Sequence, residues 1–172
     1  MSLSAKTVPS VLTMLQEDHR KVEALFEEFK AAKHARTKQR IVETALQELG
    51  VHAKIEESLV YPAIREALED EEDLMDEALE EHHIVHVLIR ELKRMKPSDE
   101  RFDAKFTVLG ESVKHHVEEE ESEMFPKAED AAIDWVGLEV KMSRRKEQLL
   151  SKLLLKKVWE DIQPMAGLLT RD

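Results

Sequence analysis

Two segments of the chain repeat one arrangement of chemically capable side chains. They are His52-Ala-Lys-Ile-Glu56-Glu57-Ser-Leu-Val-Tyr61-Pro62 and His116-Val-Glu-Glu-Glu120-Glu121-Ser-Glu-Met-Phe125-Pro126. Both read His, Glu at +4, Glu at +5, Ser, an aromatic at +9 and Pro at +10. Composition alone would rarely produce one such segment, and two far more rarely. An imidazole and a carboxylate four residues apart on a helix project from one face, so each pair can serve one ion. His82 and His86 have the same spacing, and His19 stands alone upstream. The chain has no cysteine, which removes disulfides, thiol catalysis and thiolate-bound clusters together. Any metal must therefore be held by imidazole and carboxylate.

These groups need elements to carry them, and the sequence is written for helices. Gly and Pro number only 4 and 5, against abundant Leu, Glu, Lys and Ala. Five helical stretches are expected. The first starts near Ser10, read as its cap, and runs to about Lys33 with Leu12, Leu15, His19, Val22, Phe26 and Phe29 on one face. After a turn at Ala35-Arg36-Thr37, with Thr37 as cap, the second runs from Lys38 to Leu68. Its inner face is Ile41, Ala45, Leu49, His52, Glu56, Leu59 and Ala63. Gly50 should cost this helix about 1 kcal/mol relative to Ala. Pro62 should bend it or open its hydrogen-bond ladder.

The third stretch spans Glu71 to Met95, with Met75, Leu79, His82, Val85, His86, Ile89 and Leu92 facing inward. The fourth spans Asp99 to Lys127, with Phe102, Phe106, Leu109, Val113, His116, Glu120 and Met124 on one side. A fifth, about 134–163, carries Trp135, Leu138, Met142, Leu149, Leu153 and Trp159, with Pro164 closing it. It would lie along the bundle or form a homodimer seam. The expected fold is all-α: an up-down-up-down four-helix bundle with an additional C-terminal helix. One domain over 1–172 is expected, with the bundle at about 10–130.

The repeat extends beyond the two segments. Apolar residues follow His19 at +3, +6, +7 and +10 (Val22, Leu25, Phe26, Phe29) and follow His82 at the same offsets (Val85, Leu88, Ile89, Leu92). His19 to His52 is 33 residues, and His82 to His116 is 34. Two helical hairpins of one design, related by an approximate twofold, would place the four histidines at one depth. Imidazoles and carboxylates on apolar faces are costly unless partnered. Seven of them converging from four helices call for something cationic. Mixed N and O ligands suit Fe, Mn or Zn. Seven candidates exceed the four that a structural zinc needs, and two carboxylates able to bridge point to two metals.

At these residues the chain resembles the hemerythrin family, in its bacterial HHE cation-binding branch, over about Val11 to Lys127. His19, His52, Glu56, His82, His116 and Glu120 match that family's pattern directly. His86 matches the second third-helix histidine of the oxygen carriers. The chain departs from those carriers in having Glu at +4 on the fourth helix, where they have Asp at +5, and in its fifth helix. The resemblance implies two iron ions joined by an oxo or hydroxo bridge, with Mn or Zn as possible substitutes. It makes Glu56 and Glu120 bridging ligands and His19, His52, His82, His86 and His116 terminal ones. One iron would keep an open position for dioxygen.

The remaining polar residues have plainer readings. Glu23 is an extra ligand, an outer acceptor for an imidazole or a solvated boundary residue, the last two being preferred. Glu57 and Glu121 face solvent or support the ligands, and Glu119 faces solvent. His83 and His115 lie at the surface or support the ligands from outside, and His34 is a charge at a helix C-terminus. Tyr61 and Phe125 shape the core near the pocket, with a hydrogen bond from Tyr61 to a bound ligand as its alternative role.

Net charge −11 argues against nucleic acid as a partner. No apolar run reaches the roughly 18 residues of a membrane span. Residues 1–6 lack a secretory apolar stretch, so a cytoplasmic location is expected. The leading expectation is a di-iron protein that binds dioxygen, nitric oxide or peroxide in a sensing, protective or carrier role. No separate acid–base pair stands out, which ranks enzymatic turnover of peroxide or nitric oxide lower. Iron buffering or delivery, including iron–sulfur centre repair, and a metal-free interaction bundle complete the set.

Overall fold

A computed structural model describes residues 8–68 and 71–166. Residues 1–7, on which the absence of a leader was read, lie outside that range. The chain forms α1 (Ser10–Ala31), α2 (Ala35–Ile55), α3 (Tyr61–Ala67), α4 (Glu72–Leu92), α5 (Phe102–Glu119), α6 (Phe125–Asp130) and α7 (Trp135–Ala166). A five-residue π-turn, Glu56–Val60, joins α2 to α3, and a second, Glu120–Met124, joins α5 to α6. The continuous rods α2–α3 and α5–α6 are thus the second and fourth helices of a four-helix bundle, with α7 added to it. Among the described residues there is no strand, and no helix is long and apolar enough to cross a membrane.

The π-turns answer to the two prolines. Pro62 and Pro126 have no N–H to continue an α-helical ladder. In each case the ladder widens just before the proline: the Tyr61 N–H bonds Glu56 O, and the Phe125 N–H bonds Glu120 O. One residue is taken up in each widening, and each begins at the glutamate of the repeat.

The core has two halves. At one end Leu12, Leu15, Ile55, Tyr61, Ile64, Met75, Met124 and Phe125 pack with Leu138 and Met142 of α7. At the other, Phe26, Phe29, Leu49, Ile89, Phe102, Phe106 and Leu109 pack together, with the Phe29 and Phe106 rings 4.5 Å apart. His19, His52, His82 and His116 lie between the halves along the chain of each helix, and all four are buried.

Several local expectations change. Ser10 is the first residue of α1 rather than its cap, and its hydroxyl donates to Glu139 of α7. Ala35-Arg36-Thr37 is helix, not turn: extended His34 starts α2, and the Lys38 N–H already bonds His34 O. His34 is therefore at a helix N-terminus. On α4, Ala78 is buried and Leu79 is exposed, because the inward stripe steps from Met75 to Ala78 to His82. α7 starts from Asp134, whose Oδ1 accepts the Gly137 N–H at 3.0 Å. It runs through Pro164 to Ala166. Near a helix end the missing N–H costs one backbone bond, not a run of them. Trp159, expected on an apolar stripe, is exposed, as are Leu154, Leu155 and Val158.

Candidate metal centre

The structure brings six of the seven expected groups together. His19, His52, Glu56 and Glu120 converge as one set, and Glu56, His82 and His116 as a second. Each set offers ligand atoms within 4.8 Å of one another. His19 Nε2 lies 3.1 Å from His52 Nε2, and His82 Nε2 lies 3.0 Å from His116 Nε2. The carboxylates cross between hairpins. Glu56 Oε2 is 3.0 Å from His52 Nε2 and 3.5 Å from His82 Nε2. Glu120 Oε2 is 3.3 Å from His19 Nε2 and 3.5 Å from His116 Nε2.

The outward nitrogens have carboxylate partners. His19 Nδ1 donates to Glu121 at 2.8 Å, His82 Nδ1 to Glu57 at 3.0 Å and His116 Nδ1 to Glu81 at 2.7 Å. His52 Nδ1 faces Asp18 at 3.8 Å, too long for a hydrogen bond. The support follows the twofold: Glu57 of the first hairpin holds His82 of the second, and Glu121 of the second holds His19 of the first. Asp18 and Glu81, each directly before a core histidine, were not singled out in the sequence. Their shared position in the repeat was the available signal.

A ring whose Nδ1–H is given to a carboxylate presents a bare lone pair at Nε2. At His82 and His116 the two lone pairs face each other at 3.0 Å and require a cation between them, whether proton or metal; His19 and His52 meet at 3.1 Å, where Asp18 is too far to fix the His52 tautomer. Two imidazole nitrogens at the usual distance of about 2.1 Å from one ion sit about 3 Å apart when adjacent in its coordination sphere. Both oxygens of buried Glu56, and Oε2 of buried Glu120, have no hydrogen-bond partner. Orphaned buried carboxylate oxygens are costly and mark an acceptor set that a metal would complete. The residues fit such an ion.

Without a metal, protons serve instead. Burial opposes a charge on His52, but Glu56, Asp18 and Glu120 push its pKa up to about 10. Burial likewise opposes, and Glu120, Glu81 and Glu56 outweigh it, at His116, which is also raised. Burial would raise Glu120, yet His116, His19 and His52 hold it down at about 2.

His86 does not join either set. It is 34% exposed, and its Nε2 is engaged by Glu57 Oε1 at 2.7 Å. The inward stripe of α4 passes through His82, Val85 and Ile89, leaving His86 on its flank. Its expected place among the inward groups is therefore corrected to an outer one. Glu23 is paired with Arg20 at the surface, while His83 and His115 are exposed.

Tyr61 does enter the centre. Its hydroxyl donates to Glu120 Oε1 at 2.7 Å and stands 3.3 Å from Nε2 of both His82 and His116. Its repeat mate Phe125 instead stacks on His19. On the other side, His19, His52, His82 and His116 line a cavity of about 20 Å³ with Val22, Val85 and Val113.

The model of the hemerythrin HHE cation-binding domain matches residues 10–128. The chain belongs to the hemerythrin HHE family. A crystal structure of an HHE cation-binding domain-containing protein from Mycobacterium kansasii superposes with a TM-score of 0.66 at 26% identity, covering 83% of this chain and 88% of that one. An uncharacterized hemerythrin-like protein of Schizosaccharomyces pombe is 29% identical over 111 residues, 64% of this chain and 55% of that protein. A DNA nickase of a Nostoc strain is 29% identical over 124 residues, 71% of this chain and 34% of that protein. The chain thus spans between a third and just over half of these curated relatives' length. The HHE match covers all six residues brought together in the core, which form clusters able to hold a metal ion.

Proposed function

We propose that this HHE chain holds two iron ions and binds a small ligand at them, dioxygen, nitric oxide or peroxide, in a sensing, protective or carrier role. The observation that carries the reading is the two pairs of facing histidine Nε2 atoms crossed by the orphaned oxygens of Glu56 and Glu120. His19, His52, Glu56 and Glu120 would hold one iron, and Glu56, His82, His116 and Glu120 the other. Iron held there would supply the redox and ligand-binding chemistry. The protein's own residues do the rest. Glu121, Glu57 and Glu81 orient the imidazoles and keep the proton on Nδ1. Val22, Val85 and Val113 exclude bulk water from a cavity with room for one small molecule.

A second reading, turnover of peroxide or nitric oxide at the same centre, is favoured by Tyr61. Burial and the charges of Glu120 and Glu56 hold its pKa well above the usual tyrosine value. It therefore keeps a proton at Oη, beside two ligand histidines, at neutral pH. Anaerobic loading with ferrous iron, then air or nitric oxide, should change the visible spectrum with two irons retained per chain. A colourless product holding fewer than two irons would contradict the proposal. Steady-state peroxide consumption above that of free iron, lost in Tyr61→Phe, would select the second reading. Nothing in this centre carries over a nicking activity, and the net charge of −11 opposes DNA.

A further inference from the structure

The twofold repeat is broken on its outer face, where His115 of the second hairpin stays exposed. Around the first hairpin, Asp18 gives both oxygens to Lys146 of α7 at 2.6 Å. The neighbouring repeat positions, Val51 and Ile55, are buried under Leu138 and Met142 of α7. The equivalents around the second hairpin are Glu81, His115 and Glu119, whereas α7 packs chiefly on α1, α2 and the first π-turn. His115 Nε2 lies 3.4 Å from Glu81 and 3.3 Å from Glu119, and its ring is 64% exposed. One ligand atom from each of the three falls within 4.8 Å of the others.

Glu81 connects this surface trio to the core. Its Oε2 accepts from His116 Nδ1 at 2.7 Å, while Oε1 faces His115. A cavity of about 10 Å³ lies between the layers, lined by Glu81, Glu119, His116 and Glu120 with Ala78 and Met124. Glu120, 1% exposed, contributes to its lining, and Oε2 of that carboxylate has no hydrogen-bond partner. The cavity thus borders Glu81 and Glu119 of the surface trio on one side and His116 and Glu120 of the core on the other. One imidazole and two carboxylates, without sulfur, suit a divalent first-row ion such as ferrous iron.

We infer that Glu81, His115 and Glu119 form a transfer site through which a divalent metal ion enters and leaves the core. The inference rests on the metal-holding reading of that core. The site is weak and transient: the trio speeds loading without adding to the final content. The test is the rate of ferrous iron uptake by metal-free full-length protein under anaerobic conditions. Uptake is quenched with a ferrous chelator at timed intervals, and retained iron is counted. His115→Ala combined with Glu119→Gln should slow uptake by about tenfold, within the range over which local charge alters association. Final iron content should match the wild type. Glu118→Gln, at a neighbouring exposed position paired with Lys114, removes the same charge and should load at the wild-type rate.

Uptake by the double variant at the wild-type rate, or no slower than Glu118→Gln, overturns the inference. A lower final content in the double variant also overturns it, since the trio would then belong to the holding site. A wild-type chain that retains no iron is a different result: it contradicts the core reading itself.

Discussion

His52 and Glu120 are where protons and a metal ion compete for the same lone pairs. His52 is raised from 6.5 to about 10 in the fold. Its contribution to metal-free stability is therefore complete below pH 6.5 and is lost as pH rises through about 10. Glu120 is lowered from 4.5 to about 2, so its contribution is complete above pH 4.5 and is lost as pH falls toward 2. Urea denaturation of the metal-free protein should accordingly show lower stability at about pH 9 than at about pH 6. Metal binding has the opposite slope, because the ion must displace the histidine protons. Stability of the metal-free protein that rises over that interval would contradict these assignments. The ligand set makes a second prediction. His52→Ala or His116→Ala should lower iron content and thermal stability together, since binding is coupled to folding. His83→Ala should change neither. His86→Ala should retain the iron, because its ring is held by Glu57 outside the centre. Elemental analysis beside a melting curve decides each case.

At the scale of elements, the sequence was legible wherever one period governed. The stripes of α1 and α5 are buried as their spacing implies, because three- and four-residue steps on an amphipathic helix leave little choice. The π-turns were readable only in outline. Pro62 announces a broken ladder, but whether it bends or widens depends on packing that the prolines do not encode. Leu79 misled because hydrophobicity favoured it over Ala78, while close helix packing took the smaller residue. Asp18 and Glu81 were missed because an acid beside a histidine reads as a solvated neighbour until the fold shows the ring nitrogen facing it. Two glycines separate propensity from packing. A Cβ on Gly50 meets nothing within 4 Å, so Gly50→Ala should stabilise by about 1 kcal/mol in urea unfolding. A Cβ on Gly110 would lie 3.0–3.3 Å from the Phe26 ring, so Gly110→Ala should forfeit that gain. Lys146→Met leaves the largely buried Asp18 without its cation and should destabilise by about 1–3 kcal/mol.

Across the whole molecule, two hairpins of one design enclose one polar layer between two apolar halves. The repeat fixes that layer twice over, which is why six of its residues could be named from sequence. The asymmetries arise where the copies diverge: Tyr61 against Phe125, and Asp18 paired with Lys146 of α7 against Glu81 beside exposed His115. Each divergence falls beside the centre, and each gives one half a task the other lacks. α7 caps Asp18 and its neighbours, and the second hairpin keeps His115 and Glu119 exposed. The account depends on the inward lone pairs being met by metal rather than by protons alone. Elemental analysis of protein isolated without added metal, with the oxidation state determined, tests that most directly. The account predicts two irons per chain. Protein that purifies without transition metal, and retains fewer than two irons after anaerobic ferrous loading, would contradict it.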